Sequence, residues 1–134
     1  MSFFGFGKKK KILVVEDEPY IAQGLEARLQ LEGYDVITAG DGKEGVSQAR
    51  SERPDLVIMD LMMPKVNGFD ACKMLKADDK TKKIPIIVLT AMKTLGNTDD
   101  AFTSGADAFL AKPFKNERLL EKIQKLIDPY KELK

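Results

Sequence analysis

Five residues of this chain have side chains suited to charge-transfer chemistry, and each stands at or just beyond the end of an apolar run. Glu16 and Asp17 follow KILVV, Asp60 follows LVIM, Thr90 follows IIVL, and Lys112 lies two residues after AFL. Asp60 raises the sharpest question, because PDLVIMDLMMP sets it between methionines. A lone carboxylate buried in such a run is costly unless a cation meets it. If the runs are parallel strands of one sheet, three carboxylates, a hydroxyl and an ammonium converge on a single edge. Three carboxylates about 5 Å apart repel one another by roughly 10 kcal/mol in total at an effective dielectric near 20. Lys112 neutralises only one of them. A hard divalent cation relieves the others without protonating them. Oxygen ligands favour Mg²⁺, with Mn²⁺ as a substitute, over Zn²⁺, and the chain has no histidine.

The elements that must hold these groups are legible in the pattern. Ile12 to Val15, Leu56 to Met59, Ile86 to Leu89 and Ala108 to Leu110 are continuous apolar runs, as expected of parallel strands covered on both faces. Tyr34 to Thr38 is more polar and reads as a strand toward an edge. Between them, Ile21, Leu25 and Leu29 repeat at helical spacing, with Gly33 placed to end that helix. Asp41 followed by Glu44 predicts a capping box opening a helix through Arg50. Phe69, Cys72 and Leu75 share a face of the next helix. Leu119, Leu120, Ile123, Leu126 and Ile127 form a stripe on the last, with Asn116 as its expected N-cap. The segment 95–104 holds Gly96, Asn97, Thr98 and two aspartates, all poor interior helix formers, and reads as a weak helix. Five β-α units with right-handed crossovers give an α/β fold, a doubly wound five-stranded parallel sheet. Ligands of such sheets bind beyond the carboxyl ends of the strands, where the five residues stand.

Composition narrows the function classes. The chain has 134 residues, 43% of them hydrophobic and 32% charged, the balance of one globular domain. Lys plus Arg number 22 against 21 for Asp plus Glu, so no global field draws it onto nucleic acid or anionic lipid. The single cysteine, Cys72, excludes an intrachain disulfide and fits a reducing, cytoplasmic setting. No apolar run reaches the roughly 20 residues that span a bilayer. The opening MSFFGFGKKK has the wrong order for a signal peptide and reads as a flexible tail over 1–10, with 11–128 as the domain and 129–134 as a C-terminal tail.

Four motifs in register, VVEDEP, DLMMP, LTA and KPF, make residues 11–128 resemble the receiver domain of two-component response regulators, of the single-domain chemotaxis-regulator kind. That resemblance implies a flavodoxin-like (βα)5 fold with Asp60 as phosphoacceptor. Asp17 would bind Mg²⁺ directly and Glu16 largely through water, with the Met62 backbone carbonyl as a further ligand. Thr90 would hydrogen-bond the phosphoryl group, Lys112 would pair with it, and the Lys112-Pro113 bond would be cis. Phe109 would then be the aromatic switch residue that turns inward once Thr90 moves. A histidine kinase or histidine phosphotransfer protein would donate, and the 95–127 face would engage a downstream protein. The chain would catalyse only its own phosphorylation and dephosphorylation. Residues Met62 and Met92 occupy the positions that in this family tune access of water to the phosphoaspartate, and neither orients water well. Self-dephosphorylation is therefore expected to be slow.

Other readings of the same residues remain distinct. Glu16 and Asp17 also read as a cap for the following helix at Glu18-Pro19, Cys72 is core by default, and Phe109 is core unless it switches. The chain also reads as the receiver part of a longer regulator with a DNA-binding or enzymatic output, although no helix-turn-helix follows Lys134 and specific nucleic-acid binding is not expected of this chain. A Mg²⁺-dependent phosphatase with an aspartyl nucleophile commonly needs a second Asp where Met62 stands. A flavodoxin would not tolerate Glu16-Asp17-Glu18 in its phosphate loop.

Overall fold

The computed structural model describes residues 9–61, 68–91 and 105–127. Within them the chain runs β1 (Lys11–Val15), α1 (Pro19–Leu31), β2 (Asp35–Ala39), α2 (Gly42–Glu52), β3 (Leu56–Asp60), α3 (Gly68–Ala77), β4 (Ile86–Ala91), β5 (Ala108–Lys112) and α4 (Asn116–Ile127). All strands are parallel in the order β2-β1-β3-β4-β5. This is the doubly wound parallel sheet that the apolar runs predict, in the flavodoxin-like form that the family resemblance implies. The weak segment 95–104 lies outside the described residues, as do Met62, Met92 and most of both tails.

Alternation along the strands sorts the core into two layers. Leu13, Val15, Val57, Met59 and Val88 face α2 and α3, packing with Val46, Ala49, Ala71, Cys72 and Leu75. Ile12, Val14, Ile58, Ile87 and Leu89 face the other side, against Leu25 and Leu29 of α1 and Leu119 and Ile123 of α4. Burial on both faces is why β1, β3 and β4 read as unbroken apolar runs. The more polar β2 is indeed an edge strand. The Ala108–Leu110 run corrects the expectation of two-sided cover: β5 is the opposite edge, and Leu110 is its one buried residue.

Local signals hold at two helix ends. The Asp41 side chain accepts a hydrogen bond from the Glu44 amide at 2.8 Å, and Glu44 Oε1 accepts one from the Gly40 amide at 2.6 Å. This is a capping box with its return bond displaced by one residue. Helix α1 ends in a Schellman arrangement: the Gly33 and Tyr34 amides donate to the Gln30 and Leu29 carbonyls, and Gly33 takes a φ of 99°. Two boundaries differ from expectation. The Lys115 carbonyl accepts from the Arg118 and Leu119 amides, so Lys115 takes the capping position and Asn116 is already helical. Glu18, not Asp17, caps α1, and it makes no side-chain cap hydrogen bond.

Candidate functional site

Register brings the five residues to one rim. Val15 pairs with Met59, so Glu16 stands level with Asp60, the last residue of β3. Asp60 pairs with Leu89, which puts Thr90 one step further along β4. Lys112 ends β5 opposite Ala91, two residues beyond the Asp60 level, and its long side chain reaches back across the edge. Its Nζ lies 3.3 Å from Asp60 Oδ2 and 3.8 Å from Glu16 Oε1. The Lys112-Pro113 peptide bond is cis, as the family resemblance implies.

Glu16, Asp17 and Asp60 each offer a carboxylate oxygen, and those oxygens lie within 4.8 Å of one another. At that spacing each pair of charges repels by roughly 3 kcal/mol at an effective dielectric near 20. Burial sharpens the conflict, since Glu16 and Asp60 are each only 3% exposed and Thr90 4%. The Glu18 amide donates to Glu16 Oε2 at 3.1 Å, while Glu16 Oε1 is buried without a hydrogen-bond partner. A buried acceptor left in that state, within a cluster of three carboxylates, fits the oxygen donor set that a hard cation takes. Glu16 is thus no solvated helix cap.

Burial is the main cause that lifts the Glu16 carboxyl from its usual 4.5 to about 7, with Asp60 raising it further and the Glu18 amide and Lys112 opposing. With no cation bound, the folded protein keeps a proton between pH 4.5 and about 7 that the unfolded chain has already released. The folded state then binds the extra proton, and stability falls as pH rises through that window. The melting temperature of the chelated protein should fall by about a few degrees between pH 5 and 8, with Glu16→Gln flattening that slope. Parallel pH profiles for the two proteins would contradict this account.

Phe109 lies in β5 opposite Val88, half-buried against the α2–α3 layer. Met62 lies outside the described residues. Sequence reasoning missed a cluster at the opposite rim. Lys76 Nζ donates to the Ile84 carbonyl at 2.9 Å and pairs with Asp107 at 3.1 Å. Asp107 in turn accepts the Ile86 amide at 2.8 Å. These contacts fix the starts of β4 and β5, the strands whose far ends carry Thr90 and Lys112. Nothing in the local pattern of α3 distinguishes Lys76 from a solvated lysine.

The model of the response regulator receiver domain matches residues 12–124. The chain belongs to that family. It is 40% identical over 117 residues to the DNA-binding dual master transcriptional regulator RpaA of Synechocystis, covering 87% of this chain and 48% of that protein. Identity to the DNA-binding response regulator MtrA of Mycolicibacterium smegmatis is 40% over 116 residues, 87% of this chain and 50% of the other. The chain thus spans about half the length of these relatives. Among solved structures, chemotaxis protein CheY4 of Vibrio cholerae superposes with a TM-score of 0.83 at 34% identity, covering 89% of this chain and 99% of that one. The receiver domain of a Pseudomonas aeruginosa sensor histidine kinase, solved with a magnesium ion in its active-site cleft, gives 0.82 at 34% identity, covering 90% and 98%. As a receiver domain, this chain is a phosphorylation-activated element of two-component signalling. No described helix is long and apolar enough to cross a membrane.

Proposed function

We propose that Asp60 accepts the phosphoryl group, with Mg²⁺ held by Glu16, Asp17 and Asp60 and by the Met62 carbonyl. The observation that carries this reading is the Asp60 carboxylate itself: nearly buried at the end of β3, 3.3 Å from the Lys112 ammonium and inside a three-carboxylate cluster. One Asp60 oxygen attacks the donor phosphorus as the bond from phosphorus to the leaving group breaks, and the leaving group departs with the electron pair. When the donor is a phosphohistidine of a kinase or phosphotransfer protein, the imidazole nitrogen leaves and recovers a proton from solvent. An acyl phosphate remains on Asp60. Mg²⁺, when held by these carboxylates, would supply charge neutralisation for the transferring group, the dominant requirement of phosphoryl transfer. Lys112 moves its ammonium from the Asp60 carboxylate to the new phosphoryl oxygens. Thr90, one residue beyond the Asp60 level on β4, donates its hydroxyl to the same dianion. Its movement lets Phe109 turn further into the α2–α3 layer, and the 95–127 face engages a downstream protein. We place the protein in the cytoplasm, where its kinase would meet it.

Incubation with Mg²⁺ and a small acyl-phosphate donor should add one phosphoryl group per chain, detected by intact mass and trapped by reduction at Asp60. No added mass, or a group trapped elsewhere, would overturn the assignment. Because Met62 orients water poorly, Met62→Asn should shorten the acyl-phosphate lifetime several-fold in a timed decay with Mg²⁺. An unchanged decay would show that water access is governed elsewhere.

A further inference from the structure

Away from the rim, α2 and the end of α3 enclose a groove of about 490 Å³ whose chemistry the phosphorylation site does not use. One face of α2 supplies Lys43, Ser47 and Arg50, at helical spacing, over a floor of Val46; Met74 of α3 and Lys80 close the other side. The groove is cationic although the chain as a whole is nearly neutral, with a formal charge of +1. Its neighbouring acids are already committed. One oxygen of Asp78 accepts Arg50 Nε at 2.8 Å and the other accepts the Lys80 amide at 2.8 Å. Asp79 pairs with Lys82 at 3.0 Å. Lys43 and Lys80 have no carboxylate partner among the described residues. Met74 is 48% exposed, one of few large apolar side chains so placed among the described residues.

We propose that this groove docks an acidic, partly apolar segment of a partner protein. Charge complementarity selects the sign of the occupant. Exposure selects its size: lysines on a wet rim hold a single small anion weakly, since exposed ion pairs gain little against solvent. Useful affinity here needs several contacts along the groove together with burial of Met74, whose flexible thioether adapts to varied apolar partners. An extended or helical peptide carrying two or more carboxylates around a Leu or Phe meets both demands. The groove's lining residues all belong to α2, α3 and the turn at Lys80, and none of them falls within 105–127.

The test uses the whole chain and a fluorescent ten-residue peptide of alternating Glu and Leu as probe, with binding followed by anisotropy and by amide shifts. Wild type should bind, with the largest shifts at Ser47 and Met74, and binding should weaken as salt rises. Lys43→Glu combined with Lys80→Glu should weaken it by roughly tenfold or more. The matched reversal Arg118→Glu with Lys125→Glu, exposed on α4 across the sheet from the groove, should change it little. Met74→Ser should weaken it at unchanged net charge. No binding, equal loss in both double variants, or shifts outside the groove would overturn the proposal. So would a DNA duplex that outcompetes the peptide for the same residues, which would assign the groove to nucleic acid. Phosphorylation of Asp60 is measured separately, so failure of one assignment leaves the other standing.

Discussion

Asp60→Asn should abolish phosphoryl uptake while leaving the fold intact. The amide has almost the shape of the carboxylate but no anionic oxygen to attack phosphorus, so uptake should drop by on the order of a thousandfold or more, to the background of the assay. Two further readouts distinguish this loss from unfolding. First, Asp60 both repels Glu16 and raises its carboxyl, so removing that charge relieves a buried conflict. At pH 8, in chelator, the variant should melt at or above the wild-type temperature. Second, it removes one of three clustered carboxylates, so Mg²⁺ affinity, read by titration, should fall roughly tenfold. Lys112 then loses the negative charge 3.3 Å away, yet it is near enough to Glu16, at 3.8 Å, to stay paired. A variant that takes up phosphate at the wild-type rate would place the acceptor on another carboxylate. A variant that melts far lower would make the loss uninformative about chemistry and would contradict the repulsion argument.

The rim was readable because it is a property of strand ends, and strand ends show in one dimension. Unbroken apolar runs mark strands buried on both faces, and the first polar residue after each run is the one that emerges. Glu16, Asp60, Thr90 and Lys112 were therefore found by position as well as by type. Helix ends were legible where a side chain or a glycine does the capping, as at Asp41 and Gly33, and not at Lys115 or Glu18, where only backbone groups cap. Burial is less legible than position. β5 is apolar yet lies at the sheet's edge, because strand order depends on crossovers that no local window contains. Glu16 admits a reading as a solvated cap yet is nearly inaccessible, because its cover comes from residues distant in sequence. Thr81 is fully buried, its hydroxyl donating to the Leu75 carbonyl at 2.6 Å, and nothing in its polar surroundings signals that.

A contact equally silent in the sequence couples the fold to the site. Gly68 opens α3, and a Cβ built there would lie 2.7 Å from the Asp60 carbonyl oxygen and 2.7 Å from Leu61 Cα. Both are backbone atoms, so no side chain can turn aside to make room. Glycine is required here by space, which lets the start of α3 rest on the end of the strand that carries Asp60. Gly68→Val should therefore cost about 3 kcal/mol, at the upper end of ordinary overpacking, and lower the melting temperature by about 10 °C. The strand end must also shift relative to Glu16 and Lys112, so Mg²⁺ affinity and the phosphorylation rate should both fall several-fold in protein that is still folded. Gly24 provides the contrast. It lies within α1 with nothing within 4 Å of an added Cβ, and Gly24→Ala should stabilise by roughly 0.5–1 kcal/mol through helix propensity alone. If Gly68→Val behaved like Gly24→Ala, the packing of α3 on β3 would not be what holds Asp60 at the rim. A loss of stability without any loss of metal affinity would confine the effect to the fold, and the Asp60 carboxylate would then owe its position to Lys112 and the neighbouring acids.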